Sequence, residues 1–259
     1  MNWRRLLTMW RTIVTLVVAL GLWEGSVRLF KVQEYLLPPP SVILERVWRD
    51  RIYLLDQAEP TVIEIWVAYA LAVFAGIVLG ILIAYSRWAE EGVLPILVSF
   101  EVIPKIALAP LFLIWLGFGM SPKIAISALI AFFPVLIATV KGIRSVESEM
   151  VQWMSTMGAP RWKIFYKLTF PSALPYIFAG MKISITAAVV GAIVGEFVGA
   201  DAGLGYLILR YSSFLDTTGM FSALIVVTAI GIISFGVITW AERRILSWQI
   251  AMEAGPEVL

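Results

Sequence analysis

The chain has neither histidine nor cysteine among its 259 residues, so few side chains remain for chemistry. Disulfides, thiolate chemistry, imidazole-held haem and the usual zinc or copper sites are excluded. Carboxylates, Lys, Arg, hydroxyls and the backbone are what is left. Several of these stand inside apolar stretches, where an ionisable group facing lipid costs at least ~2.5 kcal/mol at a helix centre. Glu101 and Lys105 are four apart in the Glu-before-Lys order that favours an intrahelical pair. That pair reads either as a neutralised contact at a subunit interface or as a polar point on a translocation path or gate, with Pro110 and Trp115 beside it. Glu196 lies beside Gly191, Gly195 and Gly199, whose spacing of four lets two helices approach closely, and it is expected to face protein or water. Glu24 and Lys182 are expected to reach interfaces or partners, the Lys by snorkelling. Pro104, Pro110 and Pro134 free backbone carbonyls that must find partners or line a cavity.

The elements that must position these residues are membrane spans. The chain is 60% hydrophobic with a mean hydropathy of +0.89, and only 15% charged, against about 25% in a soluble domain. Runs long enough to cross a hydrocarbon core, which takes about 20 residues, recur near 9–30, 62–85, 93–117, 123–141, 175–199 and 218–240. The fold class is thus an all-α membrane protein with six transmembrane helices. The basic N-terminus with its apolar run is read as a retained first helix, because no small-residue cleavage site follows closely. The net charge of +2 is scattered, which gives nucleic acid no support as a partner. The organisation expected is an N-terminal helix and external loop over 1–61, a transmembrane core over 62–241 with a loop at 142–172, and a tail at 242–259.

After the first span, Pro38, Pro39 and Pro40 favour an extended exit. Ser41 is read as the N-cap of a short amphipathic helix with Val42, Leu44, Val47 and Trp48 on its apolar side. Orientation follows from the Lys and Arg beside the spans. Arg4, Arg5, Arg11, Arg87, Lys141, Arg144, Arg161, Lys163, Lys167, Arg243 and Arg244 fall on one side, against Lys31, Arg46, Arg49, Arg51, Lys123 and Arg210 on the other. The bias places both termini inside the cell and makes 142–172 the longest cytoplasmic loop.

In that loop, Ser145 is read as the N-cap of a helix that ends at Gly158, a residue suited to a left-handed C′ position. Pro160 opens a second short helix and Pro171 closes it. Val146, Met150, Trp153, Met154 and Met157 form one apolar stripe. Either the inner ends of the spans cover that stripe or another protein does, since Met and Trp supply adaptable contact area.

The loop resembles the cytoplasmic signature of ABC importer permeases, in which Glu-Ala-Ala, three residues, Gly, nine residues and Ile-x-Leu-Pro couple to an ATPase. Gly158 stands at the Gly, and Leu168, Thr169, Phe170 and Pro171 at the Ile-x-Leu-Pro positions, while Gln152, Trp153 and Met154 replace the Glu-Ala-Ala triplet. The stretches "VIPKIALAPLFLIWLGFGMSPKI", "FFPVLIATVKGIRSV", "VGEFVGADAGLGYLI" and "LLPPPS" are similar to the nitrate, sulfonate, taurine and pyrimidine-precursor group of these permeases. The resemblance implies the type I importer architecture in a prokaryotic inner membrane. It implies a second permease copy, two ATPase subunits that bind ATP and Mg, and an extracytoplasmic binding protein as partners, with no cofactor in this chain. ATPase docking would fall on Met150, Gln152, Trp153, Met154, Met157, Gly158, Ala159, Pro160 and Phe165. The substrate path or gate would involve Glu101, Lys105, Pro110, Trp115 and Glu196.

The chain has no GxxxxGK[ST] phosphate loop, so energy must arrive through a partner. A nutrient importer subunit is therefore expected, with a channel or ion-coupled secondary transporter as the alternative. No nucleophile-and-base set points to an enzyme. Substrate identity is not contained in the chain.

Overall fold

A computed structural model describes residues 3–247, with side chains from residue 10 onward. Arg4, Arg5 and the tail from 248 to 259 lie outside the described side chains. Among the described residues eleven α-helices follow in order: α1 (Trp3–Leu29), α2 (Pro40–Arg49), α3 (Arg51–Tyr85), α4 (Leu94–Glu101), α5 (Ala109–Leu116), α6 (Met120–Arg144), α7 (Ser148–Thr156), α8 (Arg161–Ile164), α9 (Phe170–Gly199), α10 (Leu204–Ser213) and α11 (Thr217–Ile245). Among the described residues, five helices are long and apolar enough to cross a membrane. A sixth span is formed if the bent pair Ala89–Glu101 and Lys105–Leu116 counts as one.

That pair corrects the straight third span expected over 93–117, because its halves meet at 86°. Pro104 lies in the break with extended backbone (ψ 92°). Its ring disfavours helical geometry at Ile103 and it offers no N–H to continue the ladder. Pro171 departs from expectation the other way. It sits in the first turn of α9, and α8, a π-turn over Phe165–Thr169 and α9 together form one 39-residue helical run. The wider turn, in which the Phe170 N–H donates to the Phe165 carbonyl, lets the helix absorb the proline without ending.

The chain divides into two compact units, Met1–Glu59 with Ala202–Val227, and Pro60–Asp201 with Thr228–Leu259. In the first unit α2 begins after Pro39, not at Ser41. The Ser41 hydroxyl and N–H instead donate to the Glu24 carboxylate at 2.8 and 3.0 Å, which ties α2 to α1. Arg28 closes the same group through Glu24 at 2.6 Å. Ile43 is the buried residue of α2, while Leu44 and Trp48 are exposed, so the apolar side is rotated from the one expected.

The second unit is built on α6 against α9. Lipid is as apolar as leucine, so spans are held by close packing and interhelical hydrogen bonds, about 0.6 kcal/mol each. A Cβ on Gly191 would lie 2.6 Å from the Ser127 Cα, and one on Gly195 would lie 2.9 Å from that of Lys123. The Ser127 and Ser184 hydroxyls donate across the contact to the Ala188 and Ala131 carbonyls at 2.8 and 2.7 Å. Towards the loop, Ile83, Leu136, Val140, Ala173 and Ile177 form a buried cluster joining α3, α6 and α9.

Candidate functional site

The loop between α6 and α9 holds two short helices joined at a tight corner. Ser145 does not start α7; its hydroxyl donates to the Gly142 carbonyl at 2.8 Å and closes the end of α6. Glu147 occupies the N-cap position of α7, with Glu149 in the first turn near the positive end of the helix dipole. At the other end the Gly158 N–H donates to the Ser155 carbonyl and the Ala159 N–H to the Met154 carbonyl, both at 3.0 Å. This is a Schellman closure with Gly158 at φ +80°. Pro160 then precedes α8, its carbonyl accepting from the Lys163 and Ile164 N–H groups.

The expected docking residues divide between those presented and those anchored. Trp153 is 68% exposed and Met157 87%. Met150, Gln152, Gly158 and Pro160 are also exposed, whereas Met154 and Ala159 are half-buried. Phe165 is an anchor: its ring lies 5.8 Å from Tyr85 and 5.7 Å from Phe170. Exposed Trp162 and Tyr166 extend the aromatic surface beyond the residues expected from sequence.

At the bent span, the expected Glu101–Lys105 ion pair is absent. The Lys105 ammonium donates to the Glu101 backbone carbonyl at 3.4 Å and sits 4.8 Å over the Phe133 ring. The break between the two residues removes the helical register that the spacing of four requires. Glu101, Pro110 and Trp115 are exposed, and Trp115 meets Phe112 edge-on at 5.8 Å.

Glu196 belongs to a different constellation. It is 1% exposed and accepts from the Thr61 hydroxyl at 2.6 Å. Next to it Glu64 is fully buried and pairs with Lys123, itself 5% exposed. Lys123 supplies the opposite charge that this buried carboxylate needs. Sequence reasoning missed Glu64, Thr61 and Lys123. Lys123 counted as a loop charge, yet Gly195 lets its backbone in beside α9. The available signal was Glu64 itself, the one acidic or basic residue in the run 62–85. Lys182, expected to reach an interface or a partner, reaches both Glu242 oxygens at 2.8 and 2.9 Å and joins α9 to α11.

In the first unit Arg46 is held between Asp50 and Asp216, the latter at 3.0 Å, and lies over the Tyr211 ring. Burial by itself would lower its pKa, but the two carboxylates outweigh that and hold it above the ordinary arginine value. Asp216 also accepts from the Gly219 N–H at 2.9 Å, which starts α11.

Residues 76–247 match the family model described as the binding-protein-dependent transport system inner membrane component. The chain is 34% identical over 88% of its length, and 91% of the other chain, to the formylaminopyrimidine transport permease of Halalkalibacterium halodurans. It is 33% identical over 91% of its length, and 89% of the other chain, to the riboflavin transport system permease of Chloroflexus aurantiacus. Among solved structures, an inward-facing form of the MetNI methionine ABC transporter aligns with a TM-score of 0.65 and 21% identity, covering 74% of this chain and 96% of that one.

Proposed function

Because this chain belongs to the family of binding-protein-dependent transport system inner membrane components, and so is the permease component of an ABC importer, we propose that two copies of it form the membrane pore. Two separate ATPase subunits, which bind ATP and Mg, dock on its loop at 145–171. An extracytoplasmic binding protein delivers the substrate on the other side of the inner membrane, and both termini face the cytoplasm. The chain itself binds no nucleotide and hydrolyses none.

The observation that carries the docking reading is the exposed apolar face of α7. Trp153 and Met157 project from a turn that Gly158 closes by two backbone hydrogen bonds. A fixed, exposed Trp–Met surface is suited to a groove on a partner. Met150 and Gln152 flank it, Met154, Ala159 and Pro160 shape the corner, and Phe165 anchors the loop to Tyr85 and Phe170.

Glu101, Lys105, Pro110 and Trp115 line the path at the bent span. An exposed carboxylate in a membrane span calls for water or protein beside it rather than lipid. The transported molecule is a small heteroaromatic metabolite; the pyrimidine and flavin named for the two permeases above support this choice.

The test is co-purification with a candidate ABC ATPase subunit, before and after Trp153→Glu. Trp153 is exposed, so the variant should fold with an unchanged Tm and lose the ATPase. Full retention of the ATPase would overturn the docking reading.

A further inference from the structure

The glycine contacts in the second unit are unevenly placed. α6 and α9 are close along their whole shared length, through Gly142 against Ala173, Gly180 against Ala138, Gly191 against Ser127 and Gly195 against Lys123. The glycines of α3 lie towards its inner end, where a Cβ on Gly76 would lie 2.9 Å from Val135 and one on Gly80 2.6 Å from Thr139 on α6. At the 60–68 end of α3 there is no glycine. Beside the buried Ile65 and Ala68, ionic and polar links hold that end: Glu64 to Lys123 on α6, and Thr61 to Glu196 on α9.

Buried ion pairs hold helices no better than well-packed apolar side chains of similar volume. What a charge contact adds is specificity: parted from its partner, a buried charge is left uncompensated, so the paired arrangement is favoured over any other. Glu64 lies twelve residues from Gly76, about 18 Å of helix, so a swing of roughly 10° about the glycine contact would move it by about 3 Å, enough to part it from Lys123.

We propose that Glu64, Lys123, Thr61 and Glu196 are a latch for the 60–68 end of α3, which pivots on α6 at Gly76 and Gly80. They act as positioning residues for transport: the latch keeps α3 registered on the α6–α9 pair until the cycle opens it. The role in transport rests on the permease reading above; the pivot itself does not.

The chain is free of cysteine, so a label pair can be placed cleanly at exposed Ile63 and Ser121 as Ile63→Cys with Ser121→Cys. Pulsed electron spin resonance on the full-length chain in nanodiscs, labelled copies diluted with unlabelled ones, reads the distance between α3 and α6. With the latch intact, one narrow distance is expected. Glu64→Gln and Lys123→Met should each raise a longer-distance population about fivefold or more, and Glu64→Lys with Lys123→Glu should restore the narrow one. Identical distributions in all these chains would overturn the latch, whatever the fate of the transport reading, since no ATPase or binding protein is present.

The second measurement is ATPase stimulation by the binding protein in the reconstituted transporter. Glu64→Leu with Lys123→Met replaces the pair by apolar side chains that pack and fold, and keeps the test open if the single variants do not fold. This double variant should lose stimulation. Wild-type stimulation would show the charges to be dispensable and overturn the positioning role.

Discussion

Gly158 sits at φ +80°, a region that costs an L-residue free energy and glycine almost none. Gly158→Ala should therefore destabilise the α7–α8 corner by about 1 kcal/mol. The expected outcome is faster amide exchange at Gly158 and Ala159 with little change in the spans, measured by hydrogen exchange. The Gly158 backbone was legible from sequence because a C′ glycine is a local requirement. The pairings of Glu101, Lys105, Lys123 and Lys182 were not, since each is decided by what lies across from the side chain. Glu101 and Lys105 had ideal spacing, and the Pro104 break removed the geometry on which the spacing depends. Lys182 was expected to reach an interface or a partner, and only the fold brought Glu242, sixty residues later, to it.

At the scale of elements, the bent pair α4 and α5 is the part that departs most from a regular bundle. Proline in a helix interior costs about 3 kcal/mol, so Pro104→Ala relieves the constraint that keeps the 86° break. The expected result is a several-fold drop in substrate uptake by proteoliposomes with ATPase co-purification intact, because α7 and its turn are untouched. Uptake at the wild-type rate would remove the bend from the path. Apolar run length was enough to find the five straight spans, whereas Pro171 shows the limit of that reading. Its position resembles a stop signal, yet a single π-turn accommodates it and the helix runs on to Gly199.

At the scale of the whole molecule, one copy leaves large apolar side chains exposed around the bend, among them Val102, Ile106, Ile114 and Trp115. Lipid covers such residues without penalty, but the Glu101 carboxylate among them needs a polar or protein neighbour. Two copies per complex are expected, and native mass spectrometry of the complex with its ATPase reads that number directly; a single copy would overturn the paired-pore reading.

Sequence by itself determined that the chain is a bundle of spans with a Gly-cornered loop and no cysteine or histidine chemistry. These follow from composition, apolar run length and turn residues, all of which act within a few residues along the chain. Only the tertiary structure decided that Glu196 shares its site with Thr61, Glu64 and Lys123, and that Lys105 turns to Phe133. Buried charge seeks a partner through space, and nothing in the spacing of residues along a helix states which other helix will bring that partner near.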